Sequence, residues 1–148
     1  MIRALTAADY RAMPWANGRG TTVEMLRVER GGALALRLSR AMVVEDGDFS
    51  RFPGVERNLT VLSGPGFELV GSGLRLQARL LEPVAFAGDV LVTAEGVTGP
   101  CEDFNVMTAR GIGLPEVAVV QGGDFAAGGM LAVMALGKAR VGGVDLGR

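Results

Sequence analysis

The chain has 148 residues, a formal net charge of −1 and no histidine. That excludes histidine acid–base chemistry, Ser-His-Asp or Cys-His nucleophiles and imidazole metal ligation. With 49% hydrophobic and 21% charged residues the chain should bury its own core as one domain.

A near-neutral balance leaves no electrostatic footprint for nucleic acid or an anionic membrane. A metal would need an all-oxygen shell, and no acidic cluster has the spacing of a calcium loop, so neither metal nor cofactor is expected. Cys101 is the one cysteine and cannot form an internal disulfide. The N-terminal MIRALTAADY lacks a signal-type apolar core, and the longest apolar run, Met130 to Leu136, is too short to span a bilayer. The expectation is a soluble cytoplasmic protein. A wealth of Arg, Ala, Gly and Val beside the lone Lys138 fits a GC-rich bacterial coding bias.

No segment holds a helical period. Short alternating runs broken by Gly and Pro recur instead, which predicts an all-β barrel or sandwich. Ile2 to Leu5 reads as a first strand, and Thr6 to Asp9 as a capping box opening one helical turn. Pro14 to Gly20 (PWANGRG) is a loop, followed by a strand over Thr21 to Glu29. Gly31-Gly32 turns the chain into a strand from about Ala35 to Val44. Pro53-Gly54 suits a type II turn and leads into a strand ending near Leu62. Phe67 to Val70, Leu74 to Leu80, Val84 to Phe86 and Val90 to Ala94 follow as short strands. CEDFNVMTARG comes next, then runs at Glu116 to Gln121, Met130 to Leu136 and Ala139 to Val144. About ten short strands imply a closed or nearly closed antiparallel architecture.

Alternation after Pro53-Gly54 sets Val55, Arg57, Leu59 and Val61 on one face and Glu56, Asn58, Thr60 and Leu62 on the other. If Leu59 and Val61 line a core, Arg57 points into its mouth, where it needs an acidic partner or an anionic ligand. In EDFNVM, Asp103, Asn105 and Met107 share a face. The three asparagines, Asn17, Asn58 and Asn105, and the single Trp15 fall in the stretches with the least generic chemistry. Each also has a plain structural role: Trp15 as a core plug, Asn17-Gly18 as a turn, Asp103 as a turn cap, and Arg57 as the ion partner of Glu102 or Asp103. Cys101 has no basic flank that would make its thiol reactive.

PWANGRGTT, LRLSRA, DGDFSRFPGVERNLTVLSG, EPVAFAGD and EDFNVM, in this order and at these spacings, resemble the HutD/Ves family over roughly residues 10 to 111. The resemblance implies a cupin-like antiparallel β-barrel (an RmlC-like jelly roll), described in the family as a bicupin. Here that gives one compact unit over 1–148, with a first barrel over about 1–100 and a reduced second half over about 101–148. It also implies an accessory or regulatory protein of bacterial histidine utilization that binds a small acidic amino-acid metabolite such as formiminoglutamate, with no catalytic residue. Where the family more often reads PWKNGGG, this chain has Ala16 and Arg19, which removes one cation near the pocket. The expected ligand-binding residues are Trp15, Asn17, Arg57, Asp103 and Asn105, with Ser39, Glu56 and Arg110 in a second tier. Arg57 would hold a carboxylate, the two asparagines an amide or formimino group, and Trp15 would form an apolar wall. Two alternatives remain: a metal-free isomerase or hydrolase using Asp103 or Glu56 as general base, and an oligomeric interaction protein. A homodimer is expected on the commonness of two-fold symmetry.

Overall fold

A computed structural model describes residues 2–123 and 132–147. After a single 3-10 turn at Ala7–Asp9, the strands are β1 (Arg11–Pro14), β2 (Thr21–Arg30), β3 (Ala33–Val43), β4 (Gly47–Asp48), β5 (Val55–Ser63), β6 (Phe67–Gly71), β7 (Leu74–Ala78), β8 (Val84–Ala87), β9 (Val92–Glu95), β10 (Cys101–Ala109), β11 (Ala139–Val141) and β12 (Val144–Leu146). They form a six-stranded sheet in the order β1-β2-β3-β10-β5-β8, a four-stranded sheet in the order β4-β9-β6-β7, and a separate β11-β12 hairpin. Every ladder between these strands is antiparallel. The cupin-like antiparallel barrel is therefore the fold of this chain.

The local chemistry follows the expected turns. Thr6 and Asp9 close a reciprocal capping box around the 3-10 turn. Gly31 and Gly32 both take positive φ, 58° and 76°, the mirror-image turn that joins β2 to β3 without splaying them. Gly54 sits at φ 76° after Pro53, as a type II turn demands.

The core fills the space between the sheets. Leu59, Val61, Leu69, Val92 and Cys101 are fully buried there with Val43, Phe67, Ala78, Phe86 and Ala94. Register stacks the inner face of the large sheet in layers. Val43 lies opposite Cys101; Asp103 lies between Ala41 and Val61; Asn105 lies between Ser39 and Leu59; Met107 lies between Arg37 and Arg57. Apolar layers thus occupy one end of the interior and polar groups the other.

Several expectations are revised. Ile2 to Leu5 is not a strand; Arg11–Pro14 takes the edge position beside β2 instead. The run at Glu116 to Gln121 forms no strand, since its residues lack a partner ladder and are mostly exposed. Of Met130 to Leu136, residues 130 and 131 lie outside the described residues and 132–135 form no strand. Ala139 to Val144 breaks at Gly142-Gly143 into two short strands. A boundary near residue 100 would cut the large sheet, because β10 pairs with both β3 and β5.

Candidate functional site

β5 places Arg57 between apolar neighbours on the inner face, and Leu59 and Val61 anchor its orientation by their complete burial. Arg57 is only 4% exposed. Its Nη1 donates to the Ser50 carbonyl at 3.0 Å and its Nη2 to Asn105 Oδ1 at 3.0 Å. Asn105 Nδ2 then donates to Asp103 Oδ1 at 2.6 Å. The arginine reaches the carboxyl through an amide rather than by a direct bond.

Two atoms of this chain of contacts are buried without a protein partner, Arg57 Nε and Asp103 Oδ2. Burial pushes the Asp103 carboxyl up to about 7, against the opposing pull of Arg57 and the hydrogen bond from Asn105. Burial also lowers Arg57 to about 10, with Asp103 raising it and Arg37 adding to the fall.

The guanidinium of Arg57 faces three phenylalanine rings, with Cζ 5.7 Å from the centroid of Phe49, 5.3 Å from Phe52 and 4.9 Å from Phe86. Such cation–π contacts partly replace lost hydration. One layer on, Arg37 Nε donates to Glu24 Oε2 at 2.6 Å, and Arg37 Cζ lies 5.6 Å from the same Phe52 ring. Ser39 lies opposite Asn105 and Glu24 in register and is buried. The interior thus holds two arginines, the Glu24 carboxylate paired with Arg37, and the Asp103 carboxyl, which burial raises to about 7.

Of the residues expected from sequence, Arg57, Asp103, Asn105 and Ser39 come together here. Trp15 and Asn17 do not join them. They line a separate shallow cleft with Arg19, Val43, Val44, Glu45, Asp46, Gly47, Asp48 and Phe49. Trp15 Nε1 donates to Thr22 Oγ1 at 2.9 Å, and its ring covers Gly20, where a Cβ would stand 2.8 Å from ring carbons. Asn17 Oδ1 accepts the Arg19 amide at 2.9 Å, the ordinary work of an Asx turn. Arg19 pairs with Glu45 on the surface at 3.0 Å rather than pointing inward. Glu56 faces out, accepting from Arg110 Nε at 2.6 Å, while Arg110 Nη2 meets Asp89.

Arg37, Glu24 and the three phenylalanines were missed. The signal for Arg37 was present: alternation in LALRLSRA puts it on one face with Ala35 and Ser39, as it does Arg57 with Leu59. Glu24 was harder, because an irregularity between Glu24 and Leu26 breaks the alternation of β2. Among the described residues, no group of three His, Cys, Asp or Glu is placed to hold a metal ion.

The HutD family model matches residues 7–142. The chain belongs to the HutD family. It is 38% identical over 111 residues to a Pseudomonas putida protein of 21.2 kDa from the hutC 3' region, a match covering 73% of this chain and 58% of that one. A match to protein Ves of Citrobacter koseri is 37% identical over 108 residues and covers 69% and 56% of the two chains. Among solved structures, HutD from Pseudomonas fluorescens SBW25 superposes with a TM-score of 0.65 at 40% identity, covering 71% of this chain and 59% of that chain. The chain therefore spans under two thirds of the length of these relatives.

Proposed function

We propose that this HutD-family chain binds a small acidic amino-acid metabolite inside the barrel, as an accessory or regulatory factor of histidine utilization. The supporting observation is Arg57: a buried cation that spends its bonds on two neutral acceptors and keeps Nε unpartnered, beside an unpartnered Asp103 Oδ2. An unpaired buried charge is costly, and a ligand carboxylate offsets that cost with a charge-assisted bond. Asp103 Oδ2 would take an N–H or O–H of the same molecule. The Pseudomonas putida relative comes from the hutC 3' region, which supports the same pathway.

A thermal-shift series with formiminoglutamate, formylglutamate, urocanate and histidine tests the reading. A ligand at 100 times its Kd should stabilise wild type by about 2.7 kcal/mol. Arg57→Ala should lose that shift. If no compound moves the melting temperature at millimolar concentration, the reading falls.

A second reading is a metal-free isomerase or hydrolase with Asp103 as general base, favoured by a carboxyl titrating at about 7. It loses its second carboxylate, because Glu56 lies on the outer face with Arg110. Turnover of the same four compounds that disappears in Asp103→Asn would support it.

A further inference from the structure

The groups that would meet a ligand all lie beneath protein, with Asp103 at 0% and Ser39 at 2% exposure. What lies over the arginines is the loop joining β4 to β5. Its Phe52 ring is shared by two guanidiniums, Arg57 at 5.3 Å and Arg37 at 5.6 Å. A neutral ring there occupies space where an anion would reach Arg57, which has no carboxylate in direct contact, and the outer nitrogens of Arg37, whose Nε already holds Glu24.

Phe49 is held by the core, its N–H donating to the Val92 carbonyl at 2.9 Å and its ring 6.1 Å from that of Phe67, but beyond it the loop is tied down mainly from outside the interior. Phe52 N–H donates to the Gly88 carbonyl at 2.8 Å, and Gly54 N–H to Asp89 Oδ1 at 3.1 Å. Arg51 Nε reaches the Asp89 carbonyl at 3.1 Å. The other Asp89 oxygen takes Arg110 Nη2, whose backbone N–H holds the Gly54 carbonyl at 3.0 Å. Asp89 and Arg110 are open to solvent, with side chains 41% and 49% exposed. From within, Arg57 Nη1 grips the Ser50 carbonyl.

We propose that Phe52 is a plug and that the segment 50–54 is a lid, hinged at Phe49 and latched from the surface by Asp89 and Arg110, which swings aside so that a carboxylate takes the ring's place against Arg37 and Arg57. The inference rests on the binding reading above and deepens it. It assigns Arg110 a positioning role outside the pocket. It also names the ligand class: a small acid whose carboxylate meets both guanidiniums and whose polar end turns to Asp103 Oδ2.

The test needs no ligand, so its failure is distinct from failure of the binding reading. In a Ser39→Cys background, the rate of modification by an anionic methanethiosulfonate reports opening of the interior. Native Cys101, buried in the apolar layers at the far end, reports global unfolding in the same sample. Arg110→Ala, Asp89→Asn and Phe52→Ala should each raise the rate at position 39 tenfold or more while leaving the Cys101 rate unchanged. Parallel rises at both positions, or no rise at position 39, overturn the lid. Should Ser39→Cys fail to fold, hydrogen exchange in the Arg110→Ala chain decides. Faster exchange confined to the Phe52 and Gly54 amides supports the lid, and a uniform change or none overturns it. If the lid opens as described but no acid shifts the melting temperature, the lid stands and the binding reading does not.

Discussion

The carboxyl of Asp103 sits where burial, a nearby cation and an amide donor compete, and burial prevails. The folded chain therefore holds a proton between the ordinary 3.8 and about 7 that the unfolded chain releases. Asp103 thus favours folding most at the acid end of that window, and its contribution is lost as pH rises through about 7. Melting temperatures of wild type should fall across this range. Asp103→Asn, which keeps the shape and removes the titration, should flatten the profile, and an unchanged slope would assign the titration to another group. The same residue shows how far one sequence reaches. Strand alternation placed Asp103, Asn105 and Arg57 on inner faces, since a period of two needs only the residue order. Alternation did not tell that Asn105 would stand between the charges, because side-chain reach and register are set across strands. Trp15 and Asn17 lie in a cleft apart from the Arg57 cluster for a related reason. Rarity in composition marked them, and rarity says nothing about where a loop folds back.

At the level of elements, the strap around β8 is the tightest joint near the site. A Cβ at Gly88 would stand 2.3 Å from the Phe52 carbonyl oxygen and 2.8 Å from that of Val55. Gly88→Ala should cost roughly 1–3 kcal/mol, as overpacking does, and should disturb the lid directly; a denaturant midpoint equal to wild type would contradict the close approach. The latch has its own pH limit. The hydrogen bond from Arg110 lowers Asp89 to about 2, with help from the Gly54 amide. Its contribution is present above the ordinary 3.8 and is lost as pH falls through about 2, so the lid should stay latched in mild acid. Hydrogen exchange at the Gly54 amide, corrected for intrinsic rates, should show equal protection at pH 7 and pH 5. Most strands were legible because Gly and Pro punctuate them. The exceptions include Arg11–Pro14, a four-residue edge strand that ends in proline and is too short to show a period, and Glu116 to Gln121, whose apolar residues find no ladder.

Across the whole molecule, the order of strands in space departs most from their order in sequence at β10. It enters between β3 and β5, which lie some 40 to 60 residues earlier, and completes the interior with Cys101, Asp103, Asn105 and Met107. A chain ending at Pro100 would leave two inner strands as bare edges and remove a fully buried part of the core. Such a chain should show no cooperative unfolding by circular dichroism; a normal melting transition would mean that the four-stranded sheet and β8 fold without it. This insertion is also why a division near residue 100 looked natural in sequence. Gly99-Pro100 is a strong local break, yet nothing local reveals that the next strand returns to the middle of the first sheet.

The Trp15 ring over Gly20 has an optical consequence. It is the single indole of the chain and lines the same cleft as Phe49, the core-held residue at which the lid is hinged. Light absorbed at the red edge of the aromatic band is therefore emitted from one corner of the molecule, a few side chains from Arg57. An unlabelled sample carries its own lamp beside the hinge, and a change in emission on adding an acid would register movement there before any stability is measured.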